Sequence, residues 1–106
     1  MTNQQQLVEL IDVLEQQLRA HACWQVSPPS EQALASQQPF AVDTLAPQEW
    51  LQWIFVPRMR LLLERQQPLP SGFSMVAYFE ESWKLRPELS LIVETIRKID
   101  EVCCHA

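Results

Sequence analysis

Few residues in this chain can do chemistry, and their spacing decides against most of the chemistry available to them. Cys23, Cys103 and Cys104, with His21 and His105, are the donor types of a zinc site. They form an odd set without a Cys-x-x-Cys pair, and they fall at the ends of the first and last helical segments. If those segments run antiparallel, the end of one does not meet the end of the other. Cys103 also falls on an apolar stripe, where a thiol acts as a small hydrophobe. Glu80 and Glu81 are adjacent and project about 100° apart on a helix, which is wrong for two carboxylates sharing a proton. The serines lie at caps or in loops, and the two histidines at helix ends, so no nucleophile has a matching base. One glycine cannot build a phosphate-cradling loop. No catalytic, cofactor-binding or metal-ligating set is expected.

Binding is better represented. Trp50 and Trp53 are large rigid rings of the kind that anchor protein interfaces. The plainer expectation is that they are core residues of a small bundle. Three residues apart, they point in different directions, with Trp53 expected at the rim because Arg60 and Glu64 share its side. Arg58 and Arg65 lie seven apart on one helical face and could hold a carboxylate pair or a phosphate. Arg60, Glu64 and Glu49 lie nearby, so the plainer expectation is a solvated, internally paired face. With 13 acidic residues and a net charge of −5, the chain repels polyanions at long range, which disfavours direct RNA or anionic-lipid binding.

These residues must be positioned by helices. One glycine against eight prolines argues against a strand-rich fold, whose turns and bulges need glycine. At 106 residues the chain is expected to be one domain, residues 1–106, able to bury a core without staples. No apolar run approaches the length of a membrane span. The N-terminus lacks the basic start and apolar core of a signal peptide, which implies a cytoplasmic protein with reduced thiols.

The first helix spans about Gln4 to His21, with Leu7, Ile11, Leu14 and Leu18 as its stripe. From Trp24 to Thr44 the pattern breaks at Pro28-Pro29 and Pro39. Ser30 caps a short helix there, and Leu34, Phe40 and Val42 are expected to pin the segment to the bundle. Asp43 or Thr44 caps the central helix, with Pro47 in its first turn. That helix is apolar nearly all round: Trp50, Ile54, Pro57 and Leu61 on one face, Leu51, Phe55, Met59 and Leu62 on a second, Val56 and Leu63 on a third. Such a helix is enclosed by its own domain or finishes its burial on a partner. Pro57 predicts a kink near Trp53–Pro57. Beyond Pro68 and Pro70, Ser74 caps a short helix with Met75, Phe79 and Trp83 at four-residue steps. Pro87 opens the last helix, whose stripe is Leu89, Ile92, Ile96, Ile99 and Cys103. The fold class is all-α: a small antiparallel bundle of three long helices plus one or two short ones.

The stretch Gln38-Pro39-Phe40, Asp43-Thr44-Leu45, Glu49-Trp50-Leu51-Gln52-Trp53, Pro57-Arg58-Met59, Leu62-Leu63 and Gln67-Pro68-Leu69-Pro70 resembles the YqcC-like family. The resemblance extends along nearly the whole chain. It implies an all-helical bundle with no assigned enzymatic activity, and genes commonly placed beside tRNA pseudouridine synthase C. It brings no catalytic residues.

The expected function is therefore a non-catalytic interaction module. Its surface comprises Phe40, Asp43, Thr44, Glu49, Trp50, Trp53, Pro57, Arg58, Arg65, Pro68, Leu69 and Pro70. Asp43 is expected as a cap, or else as a polar contact at the mouth of a groove between Phe40 and Trp50. The partner implied by the resemblance is tRNA pseudouridine synthase C, with the protein a monomer or weak homodimer and no cofactor. A small apolar-ligand carrier and a homo-oligomer are the alternatives.

Overall fold

The computed structural model describes residues 2–68 and 74–104. Helix α1 (Asn3–Ala20) starts with a reciprocal cap. The Thr2 hydroxyl accepts from the Gln5 N–H at 3.1 Å, and the Gln5 side chain accepts from the Thr2 N–H at 3.1 Å. Its stripe of Leu7, Ile11, Leu14 and Leu18 is wholly buried. The helix ends in a Schellman turn. The Cys23 N–H reaches the Leu18 carbonyl at 2.8 Å, and Ala22 takes the left-handed conformation at φ 57°.

A short α2 (Glu31–Leu34) follows, capped by Ser30 as expected, then a 3₁₀ turn over Pro39–Ala41. Phe40 and Ala41 have φ of 58° and 48°, and this double turn decides which residues face inward. Ala41 and Leu45 are buried and Phe40 packs against the core, whereas Val42 is 58% exposed and pins nothing. The expected caps of the central helix are also corrected. Its N-cap is Ala46, whose N–H is accepted by Glu49 Oε1 at 2.7 Å. Asp43 instead accepts from the Ser36 hydroxyl, and Thr44 donates to the Ala33 carbonyl at 2.8 Å, so both tie the preceding segment together.

The central helix runs as α3 (Pro47–Trp50), a π turn (Leu51–Phe55) and α4 (Val56–Glu64). A π turn occupies the stretch where Pro57 predicts a kink, and such turns are themselves sites of helix bending. The Val56 N–H bonds to the Leu51 carbonyl five residues back, and Phe55 and Val56 keep helical dihedrals. The wider register moves the bond that proline cannot make from the carbonyl of residue 53, its partner in an α turn, to that of residue 52. The buried side is Leu51, Gln52, Phe55, Val56 and Met59. The Trp50–Ile54–Pro57–Leu61 face looks outward, half-buried at Trp50 and Ile54 and exposed at Pro57 and Leu61.

Helix α5 (Val76–Ser82) buries Met75, Phe79 and Trp83 along its inner side. Ser74 does not cap it. The buried Asp100 does, accepting from the N–H groups of Met75 and Val76 at 2.8 and 2.9 Å and from the Ser74 hydroxyl at 3.4 Å. After a 3₁₀ turn opened by Pro87 (Pro87–Leu89), α6 (Ser90–Cys104) completes the bundle. Leu89, Ile92, Ile96, Ile99 and Cys103 are fully buried.

The helices pair antiparallel, and the cross-links show it. Gln17 of α1 meets Thr95 of α6, while Cys23, just past the end of α1, feels Arg86 and Glu88, before α6 begins. Cys23 and Cys103 therefore lie at opposite ends of the bundle, each as a free thiol. Arg60 of α4 pairs with Asp12 and Glu15 of α1. Among the described residues there is no strand, and no helix is long and apolar enough to cross a membrane.

Candidate functional site

Where the 3₁₀ turn over Pro39–Ala41 crosses the outward face of the central helix, the surface is aromatic and concave. Phe40 stacks on Tyr78 with centroids 4.2 Å apart and planes at 6°, and sets its edge against Trp50 at 4.8 Å. Trp50 in turn lies over Phe55 at 5.6 Å. Offset stacks and edge contacts of this kind add about 0.5–1.5 kcal/mol per pair beyond area burial. They hold Phe40 in a left-handed conformation that costs a non-glycine residue on the order of 1–2 kcal/mol. The strained residue is thus one that shapes the groove.

One groove of about 470 Å³ runs between the 34–41 segment and the central helix, walled by Phe40, Trp50, Trp53 and Ile54. A second of about 320 Å³ continues on the other side of Phe40 toward Met59 and Met75. Arg58 lines both. Trp53 also borders a third hollow with Trp24 and Val26, so it stands as a wall between two depressions.

The rings are held from behind by a polar cluster that sequence reasoning missed. Gln52 is buried, and its side-chain amide clasps the backbone of Gln25: the Gln25 N–H donates to Gln52 Oε1, and Gln52 Nε2 donates to the Gln25 carbonyl, both at 2.7 Å. The Gln25 side chain accepts from Trp53 Nε1 at 2.9 Å and donates to Glu49 Oε2 at 3.1 Å. A polar residue among the apolar positions of the central helix was the available signal for Gln52. Nothing marked Gln25, in a loop, or Tyr78, which lies off the stripe of α5.

Of the expected surface, Phe40, Trp50, Trp53 and Arg58 come together at the groove. Asp43 binds Ser36, which lines the same groove. Glu49 and Thr44 are turned to internal bonds. Pro57 is exposed on the outer helix face, and Arg65 and Pro68 are exposed farther along. Leu69 and Pro70 lie outside the described residues. The arginine cluster does not act as a unit. Arg60 is paired with Asp12 and Glu15 across the bundle at 3.1 and 3.2 Å. Among the described residues, Arg58 and Arg65 have no ion-pair partner.

The thiols are held as hydrophobes. Burial pushes Cys103 up to about 11, with Asp100 adding to the effect. Burial raises Cys23 as well, against the opposing pull of Arg86. Among the described residues, no cluster of His, Cys, Asp and Glu could hold a metal ion.

The fold and groove define a small all-α bundle with an aromatic depression on the outer face of its central helix. The chain belongs to the DUF446 family, described as tRNA pseudouridine synthase C, which it matches over residues 6–102. It is 38% identical to an uncharacterized protein of Haemophilus influenzae over 103 residues, 96% of this chain and 94% of that one. It is 38% identical to the uncharacterized protein YqcC of Escherichia coli over 101 residues, 94% of this chain and 93% of that one. The solution NMR structure of E. coli YqcC has a TM-score of 0.85 to this fold at 36% identity, covering 98% of this chain and 90% of that one. A protein named tRNA pseudouridine synthase C from Pectobacterium carotovorum is 40% identical over 86 residues, which are 81% of this chain and 23% of that protein.

Proposed function

We propose that this protein is a non-catalytic interaction module that serves a tRNA pseudouridine synthase as an accessory, binding it through the Phe40–Trp50–Trp53 groove. The observation that carries the reading is the Pectobacterium relative, in which a homologous stretch makes up less than a quarter of a protein bearing the synthase's name. Covalent linkage holds two modules together at high effective concentration. A separate chain needs an interface to do the same, and half-buried tryptophans beside an arginine are the residue types that dominate such interfaces. The groove volumes also fall in the range of small-molecule pockets. We favour a macromolecular partner because the depressions are open and share Phe40, Trp50 and Arg58 in their linings.

The test is co-elution of the purified protein with the tRNA pseudouridine synthase C of the same organism at micromolar concentration, read by light scattering. A complex is expected, weakened about tenfold or more by Trp53→Ala, the loss typical of an interface anchor. Separate elution at those concentrations overturns the reading.

A further inference from the structure

The chain carries eight Lys and Arg residues, and the structure accounts for the charge of most of them. Arg19, Arg60, Lys84, Arg86 and Arg97 each pair with a carboxylate at 2.7–3.4 Å. Among the described residues Arg58, Arg65 and Lys98 do not. Of these three, Arg58 is the one that lines the aromatic groove. The carboxylates bound to groove-side segments are turned to internal bonds and none pairs with Arg58: Asp43 accepts from the Ser36 hydroxyl, Glu49 from the Ala46 N–H and the Gln25 amide, and the buried Asp100 from Ser74 and Met75. The groove therefore combines apolar ring faces with a cation that has no ion-pair partner among the described residues.

Resting on the reading of the groove as a protein-binding site, we infer that its occupant is a short acidic–apolar segment of a protein chain. An apolar or aromatic side chain sits between Phe40 and Trp53, and a neighbouring carboxylate meets the Arg58 guanidinium. A guanidinium presents a planar fork that matches a carboxylate with two parallel hydrogen bonds. A segment seated against the ring walls would shield one side of that pairing from water and strengthen it relative to an open surface. A polyanion is a poorer match, because the net charge of −5 repels it before the single cation is reached.

The probe is a pair of short fluorescein-labelled peptides with the same Leu and Phe positions, one carrying Glu between them and the other Lys. Binding is followed by anisotropy and by the change in tryptophan emission, to which Trp50 and Trp53 contribute with Trp24 and Trp83. The Glu peptide is expected to bind about tenfold more tightly than the Lys peptide. Arg58→Glu reverses that order, Arg58→Lys keeps it with weaker binding, and Arg65→Glu leaves it unchanged. Circular dichroism checks that the variants are folded, as expected for changes at exposed positions. Equal binding of the two peptides, binding of neither, or an unchanged order in Arg58→Glu overturns the inference. So does single-stranded RNA binding more tightly than the Glu peptide. If the Glu peptide binds while the synthase does not co-elute, the named partner fails and the inference stands. If the synthase co-elutes equally with wild type and Arg58→Glu, the inference fails and the accessory reading stands.

Discussion

Gln52 and Gln25 show how much of the groove rests on a few hydrogen bonds. Gln52 satisfies both backbone groups of Gln25, and Gln25 in turn holds the Trp53 indole, so the loop after α1 and the wall of the groove are fastened together. Truncating Gln52→Ala leaves both backbone groups without partners and is expected to lower stability by about 1–3 kcal/mol, measured by urea unfolding. Gln52→Glu keeps the size but loses the donor and buries a charge, so it should cost at least as much. Cys103 makes a different kind of prediction. Its folded thiol is raised from an ordinary 9.0 to about 11, so the folded state holds the proton more tightly than the unfolded state. Its contribution is complete below pH 9 and is lost as pH rises from 9 to 11, on the order of 2–3 kcal/mol. Cys103→Ala should show a smaller decline in unfolding free energy over that interval than the wild type.

At the scale of elements, two helix ends carry a left-handed residue where glycine is usual. Ala22 closes α1, and Gln66, at φ 54°, closes α4 with the Gln67 N–H on the Leu62 carbonyl at 3.0 Å. Each pays for its Cβ in the left-handed region, which glycine avoids. Ala22→Gly and Gln66→Gly are each expected to stabilise by about 0.5–1 kcal/mol, since the relief exceeds the added flexibility of the unfolded chain. Thermal unfolding would check this, with a rise in Tm of a few degrees expected and a fall counting against it. Asp100 works between elements, because one carboxylate oxygen of α6 closes the N-terminus of α5. Asp100→Ala strands the N–H groups of Met75 and Val76 and should cost about 2 kcal/mol, with Asp100→Asn milder because an acceptor remains. Hydrogen exchange at Met75 and Val76 should rise first if the effect is local.

On the scale of the whole molecule, charge and burial point away from nucleic acid. Most cations are neutralised within the fold, and net charge is −5, so a gel shift with tRNA at physiological salt is expected to show no complex. Retarded tRNA under those conditions would mean that the synthase link runs through RNA. The antiparallel bundle was legible because the stripes of α1 and α6 repeat at three- and four-residue steps, and both proved fully buried. The site was legible only in part. Phe40, Trp50, Trp53 and Arg58 stood out by residue type, but which face of the central helix pointed outward did not. Every face of that helix carried apolar residues, and a one-dimensional pattern cannot rank them.

By itself, then, the sequence determined the helices, their order, the outer stripes and the prolines that separate them, because these depend on local periodicity and backbone chemistry. The tertiary structure decided what local rules leave open. It placed Asp100 rather than Ser74 at the start of α5, because a buried carboxylate from another helix reaches the unpaired N–H groups. It set a π turn ahead of Pro57 and gave Asp43 and Thr44 to the preceding segment instead of the central helix. It also paired Arg60 with two acids of α1, while Arg58, two residues away, has no ion-pair partner among the described residues. Which charges find partners depends on neighbours far apart in the chain, and only the packed bundle brings those neighbours together.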